Sequence, residues 1–359
     1  MKKFVSTMLA TALFVLSLTG CAGAAAGDSS ASAAQSDAVA QNGSDSQTDA
    51  AVLGATANQD QHKLSIVTTI FPEYDWVMNV LGGKAGDAEV TMLLDNGVDL
   101  HSYQPTTEDI LKISTCDIFI YVGGESDEWV EDALLEATNK DMIVIDLLDE
   151  LGDSIKEEEV VEGMQGEEEE DEEAGGEEEE VEYDEHVWLS LKNAQVLVSS
   201  IDKALEQVDP DNADTYKANA ESYNAQLSDL DKKYQDAVSQ AANKTVLFGD
   251  RFPFRYLVDD YGLSYYAAFV GCSAETEASF ETITFLSSKV NELGLSAILT
   301  IEGPNKKIAE TIRDNTDTKD QQILTMDSMQ ATTSQDVASG ASYYSIMESN
   351  LAVLEQALN

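Results

Sequence analysis

Basic residues are scarce. The 359-residue chain carries 20 Lys and Arg against 68 Asp and Glu, a formal net charge of −48. Nucleic acid needs cationic side chains against its phosphates, so that partner class is excluded. Histidine and cysteine are rarer still, at three residues each. No Cys-x-x-Cys pair occurs, and neither His-Glu-x-x-His nor Gly-x-Ser-x-Gly is present, so the common zinc-ribbon, metallohydrolase and serine-hydrolase signatures are missing. No apolar run reaches the ~20 residues that span a bilayer as a helix.

What is present begins at the N-terminus. Lys2 and Lys3 precede the short apolar run Met8 to Leu18, which reads as a secretory leader. Leu18-Thr19-Gly20-Cys21 then resembles a bacterial lipobox. It implies a signal peptide over 1–21, lipidation of Cys21 and an extracytoplasmic protein anchored to the outer face of the cell membrane. Two acyl chains at ~0.8 kcal/mol per buried methylene make a durable anchor. Residues 22–61 are Ala, Ser, Gly, Asp, Gln and Asn with little to bury, a composition expected of a disordered tether.

The remainder is long enough for two lobes. Leu64–Thr69, Glu89–Leu94, Asp117–Val122 and Met142–Asp146 read as strands, with helical patterns between them. Strands recur at Thr245–Phe248, Leu295–Thr300 and Gln322–Met326. Alternation of this kind predicts parallel sheets covered by helices. The expected architecture is α/β: two Rossmann-like lobes with mostly parallel sheets, an N-terminal lobe over 62–210 and a C-terminal lobe over 242–359. Between them Tyr216, Ala220, Tyr223, Leu227, Leu230 and Tyr234 form one apolar stripe at helical spacing, predicting a single long rigid helix over 211–241. The stretch Glu157 to Glu185 holds eighteen acids and no Lys or Arg, and is expected to be a disordered, solvated insert. Cys116 sits beside a buried strand and suits a small core residue; whether it pairs with Cys272 is left open by sequence.

Two of the three histidines stand in distinctive surroundings: Asp99-Leu100-His101-Ser102-Tyr103-Gln104-Pro105 and Asp184-Glu185-His186-Val187-Trp188-Leu189. The third, His62, ends the tether and reads as incidental. Ligands in open parallel sheets bind beyond the carboxyl ends of strands. His101, Asp250 and Asp327 each follow such a strand, and His186 precedes a helix expected over Val187–Leu205. Two imidazoles with one or two carboxylates, converging between the lobes, suit one divalent transition ion.

These motifs, with Asp327-Ser328 and the C-terminal block Gly340-Ala341-Ser342-Tyr343-Tyr344-Ser345-Ile346-Met347, resemble the metal-binding lipoproteins of bacterial ABC importers for zinc and manganese, the cluster A-I solute-binding proteins. The resemblance runs from about Lys63 to the C-terminus. It implies His101 and His186 as ligands from the N-terminal lobe, Asp327 from the C-terminal lobe, and an ABC permease with its ATPase as partners of a monomeric carrier that makes and breaks no bonds. One position departs from the pattern. Where the family has His or Glu, this chain has Arg251, which cannot coordinate a cation. Asp250 beside it, Glu302 or Glu275 are the substitutes available, and Arg251 is then expected to pair with Asp327 or Glu302. Zinc is favoured over manganese, because imidazole suits zinc and zinc lies higher in the series of divalent-ion affinities. A surface adhesion or docking lipoprotein, and less so a secreted metallohydrolase, are the competing readings.

Overall fold

The computed structural model describes residues 63–166, 182–273 and 277–359. Cys21, His62 and Glu275 lie outside them. The first sheet is wholly parallel. β1 (Leu64–Thr68) is flanked by β2 (Ala88–Met92) and β3 (Ile118–Tyr121), and β4 (Ile143–Asp146) pairs outside β3. The crossovers carry α1 (Phe71–Leu81), α2 (Thr107–Thr115) and α3 (Trp129–Leu135), and α4 (Leu147–Leu151) follows the sheet. Ile66, Val67, Ile118, Phe119 and Ile120 are buried, as expected where helices cover both faces of a parallel sheet. Helix α2 starts at a local cap. Thr106 accepts from the Asp109 N–H at 3.2 Å and donates its own N–H to the Asp109 carboxylate at 2.9 Å, a reciprocal cap.

Two helices follow, α5 (Leu191–Val208) and α6 (Ala213–Gln240). The helix expected from Val187 begins later. Val187–Leu189 form a 3-10 turn, and Ser190, in extended conformation, caps α5 by accepting from the Asn193 N–H at 3.0 Å. Helix α6 spans ~42 Å at 1.5 Å per residue, and its apolar stripe is buried from Tyr216 to Val238. In its first half Asn219 donates to Val80 O on α1 at 2.9 Å. In its second half Tyr234 donates to Met347 O at 2.6 Å and Asp231 accepts from Tyr261 at 2.9 Å. One helix thus braces both lobes.

The second sheet, also parallel, has β5 (Thr245–Phe252) beside β6 (Ser264–Val270) on one side and β7 (Ala297–Thr300) then β8 (Gln322–Thr325) on the other. Its helices are α7 (Arg255–Tyr261), α8 (Phe280–Leu293), α9 (Lys307–Asp314), α10 (Ser334–Ala338) and α11 (Tyr343–Leu358). A continuous apolar core runs through the first sheet, α5, α6 and the inner side of the second sheet. A smaller cluster including Leu247, Phe269, Leu286 and Ile312 lies under α8 and α9.

The acidic stretch departs from expectation at both flanks. Its two described ends are tied together: Glu157 bridges Tyr183, Glu158 N–H donates to Glu182 O at 2.9 Å, and Asp184 N–H donates to Lys156 O at 2.9 Å. Residues 156–166 then run as a strap over the C-terminal lobe. Lys156 N–H donates to the Tyr256 hydroxyl at 3.0 Å, Glu159 pairs with Arg255 at 3.0 Å, and Gln165 N–H donates to Ala268 O at 2.9 Å in a bridge to β6. Gly163, at φ +81°, lies against the Phe285 ring where no Cβ would fit. Acidity alone predicts a solvated loop; the apolar and amide groups interspersed in this flank supply the contacts that hold it. Among the described residues no helix is long and apolar enough to cross a membrane.

Candidate metal centre

His101 lies in a 3-10 turn (Leu100–Ser102) beyond β2, where Asp99 accepts from the His101 backbone N–H at 3.2 Å. His186 ends the segment entering α5 and is fully buried. The structure brings these two histidines together, with Nε2 to Nε2 at 3.2 Å. A tetrahedral zinc with Zn–N of about 2.0–2.1 Å would set two nitrogen ligands roughly 3.3–3.4 Å apart. The imidazole pair is therefore at the spacing of two ligands of one ion.

Each ring is held from its other side. His186 Nδ1 lies 3.0 Å from Asp184 Oδ1, which also accepts the His186 backbone N–H at 2.9 Å. His101 Nδ1 lies 2.7 Å from Ser126 Oγ and 3.5 Å from Glu185 Oε2. Glu185 in turn accepts from the Ser126 N–H at 2.8 Å. Partners of this kind fix the ring and direct the Nε2 lone pair to a metal. Burial, reinforced by the neighbouring His186, pushes the His101 pKa down to about 3, so the ring is neutral near neutral pH. Gln330 completes the wall: with its amide turned so that the nitrogen faces Asp99 at 3.0 Å, its oxygen lies 2.8 Å from His186 Nε2, a bond made only by the tautomer protonated there and given up when that nitrogen takes a metal. The turn after β6 presses on the same ring. A Cβ on Gly271 would stand 2.8 Å from His186 Cε1, so only glycine lets this backbone approach.

A third donor arrives with that turn. The donor atoms of His101, His186 and Cys272 all lie within 4.8 Å of one another, and among the described residues no carboxylate joins the group. Cys272 and Cys116 are both free thiols, so they do not pair. Burial, with Glu185 and Asp184 nearby, drives the Cys272 thiol strongly upward. A cavity of about 340 Å³ opens beside the group, lined by His101, Cys272, Arg251, Glu125, Glu158 and Glu182 among others. Glu158 is pushed up to about 7 by burial, with Asp184 adding to the shift.

The carboxylates singled out in the sequence have other engagements. Asp250 accepts from the Arg251 N–H at 2.9 Å and the Ile301 N–H at 3.2 Å. It lines a neighbouring cavity of about 360 Å³ with Glu302, and Arg251 borders both cavities. Asp327 accepts from the Met329 N–H at 2.8 Å, and burial beside Glu302 raises its pKa to about 6. Glu302 accepts from Ser328 through both N–H and Oγ, each at 2.7 Å, and so shapes the loop that carries Gln330. Arg251 does not pair with Asp327 or Glu302 as expected. Its guanidinium meets Asp99 Oδ2 at 2.7 Å, from the stretch of β5 where the register shifts between Phe248 and Arg251. That pair holds the Asp99 carboxyl low despite its burial.

Sequence reasoning missed Ser126, Gln330 and Cys272. The acid two residues before His186 was a usable sign for Asp184; nothing local marks Gln330 or Ser126. Cys272 was weighed for disulfide pairing alone, although Val270-Gly271-Cys272 follows a strand as the other candidates do.

Comparison with known proteins follows the same lines. The family model described as ZnuA, zinc-uptake complex component A periplasmic, matches residues 66–357. The zinc-binding lipoprotein AdcA of Streptococcus pneumoniae is 33% identical over 310 residues, covering 85% of this chain and 58% of that relative. This chain thus spans little more than half the length of the AdcA relatives it matches, 55–58%. The high-affinity zinc uptake system protein ZnuA of Bacillus subtilis is 30% identical over 303 residues, covering 84% of this chain and 90% of that one. The crystal structure of the Zn(II)-bound ZnuA-like domain of S. pneumoniae AdcA superposes with a TM-score of 0.63 at 29% identity, covering 82% of this chain and 99% of that domain. With the bilobed parallel-sheet fold, the bracing helix and the paired imidazoles, these matches make the chain a member of the zinc-uptake complex component A family.

Proposed function

We propose that this protein captures one divalent transition ion outside the cytoplasm, zinc in preference to manganese, and delivers it to an ABC permease driven by its ATPase. The observation that carries this reading is the imidazole pair, with Nε2 atoms 3.2 Å apart and both Nδ1 atoms engaged. His101 and His186 are the proposed ligands. The His101 ring, held neutral by burial, binds a cation without first shedding a proton. The zinc named for the AdcA and ZnuA relatives supports the choice of metal. Lipidation at Cys21 is the proposed anchor, with 22–61 as tether, and the carrier acts as a monomer. Asp250 and Asp327, engaged with backbone N–H groups, join the ligand set only if the loops carrying them rearrange.

The test is competitive titration of metal-stripped protein with zinc and manganese against a chelator of known affinity. One tight zinc equivalent is expected, with manganese weaker, and its loss in the His101→Ala/His186→Ala double variant. Unchanged tight zinc binding in that variant refutes the assignment.

A further inference from the structure

Arg251 removes a donor where the family resemblance implies one, and the described carboxylates do not replace it at the imidazole pair. The side chain that does reach the pair is a thiol. We infer that Cys272 is the third ligand, its thiolate supplying the C-terminal lobe's donor to the ion held by His101 and His186. This rests on the metal-capture reading above.

The placement is built, not incidental. Gly271 lets the chain press on the His186 ring, so the next residue is delivered beside it. The Cys272 backbone N–H faces Glu158 on the strap side of the turn and favours its charged form. His101 and Cys272 line one cavity, so an ion entering it meets both. With Zn–S of about 2.3 Å and Zn–N of about 2.0–2.1 Å, tetrahedral geometry puts sulfur roughly 3.5–3.6 Å from each nitrogen. One ring nitrogen of each histidine and the Cys272 sulfur already lie within 4.8 Å of one another, so a shift on the order of 1 Å brings sulfur and nitrogens to that spacing. As the zinc–sulfur bond forms, the thiol proton leaves to bulk water, and the ion exchanges a water ligand for sulfur. A soft thiolate favours zinc and disfavours manganese, which prefers oxygen.

Cobalt(II) titration of the metal-stripped full chain reads this directly. A thiolate-to-cobalt charge-transfer band in the near ultraviolet is expected at one equivalent. It persists in Cys116→Ser and disappears in Cys272→Ser and Cys272→Ala, while circular dichroism stays unchanged. Zinc affinity in the Cys272 variants falls about 100-fold or more, beyond what losing an outer partner of a ligand costs, and the zinc-to-manganese preference narrows. A wild-type protein that binds cobalt without a thiolate band, or a Cys272→Ser variant with wild-type zinc affinity, overturns the inference. If the His101→Ala/His186→Ala variant loses zinc in that case, only the thiolate fails; if it retains tight zinc, the capture reading fails with it.

Discussion

Replacing Gly271 with alanine adds one methyl at the tightest contact of the site. The new Cβ would stand 2.8 Å from His186 Cε1, 3.0 Å from its Nδ1 and 3.1 Å from Phe252 O. Ordinary carbon–carbon contact is about 3.5–4.0 Å, so ring or backbone must give by roughly 0.7 Å. The ring has little freedom. It is fully buried, held to Asp184 at 3.0 Å, and packed at a tilt against His101 and Trp188 at 5.2 Å between centroids. Overpacking of this kind costs about 1–3 kcal/mol. Ligand positions tolerate only ~0.2 Å, so the displacement reaches metal binding as well as folding. At 1.4 kcal/mol per tenfold, zinc affinity should fall about 10- to 100-fold. Chelator competition gives the affinity and urea denaturation the stability. A variant that binds zinc like the parent and unfolds at the same urea concentration would show that the ring is not confined as described.

Asp127 is buried, accepts from the Val122 and Gly123 N–H groups, and has its pKa raised to about 7 by burial, with Glu185 adding to the shift. The folded state keeps a proton that the unfolded chain releases from about pH 4, so this group's contribution to stability is lost as pH rises toward 7. Asp127→Asn should remove that loss, worth up to ~4 kcal/mol at pH 8; matching pH–stability slopes in parent and variant would refute it. Trp188→Phe removes the donor to Ser328 O at 2.8 Å in a fully buried place and should cost about 2–4 kcal/mol in urea melts. Deleting residues 167–181 should leave tight zinc affinity intact, because the flanks are already closed on each other at Glu157 and Tyr183; a large affinity loss by chelator competition would place ligands within the deleted run.

The elements of the fold were legible because their signals are local. The β-branched runs of β1 and β3 and the six-residue stripe of α6 each announce themselves through local spacing. His101 and His186 were legible for a similar reason, since each stands in a motif. The remainder of the site depends on distance in sequence. Arg251 reaches Asp99 across 152 positions from a register shift that no residue pattern marks, and Gln330 reaches His186 through a loop shaped by Glu302. The strap was missed because charge density dominated the reading, while most of its holding contacts come from a glycine and main chain, with one acid, Glu159, pairing with Arg255.

That strap alters what a bilobed carrier can do. Residues 156–166 leave the first lobe and are fastened to the second at Tyr256, Arg255 and Ala268. A receptor joined by one helix alone can swing like a door; one also tied by a strap cannot without first unzipping main-chain hydrogen bonds. If the ion is held as proposed above, its release would follow loosening of the His101 and Cys272 turns rather than a parting of the lobes.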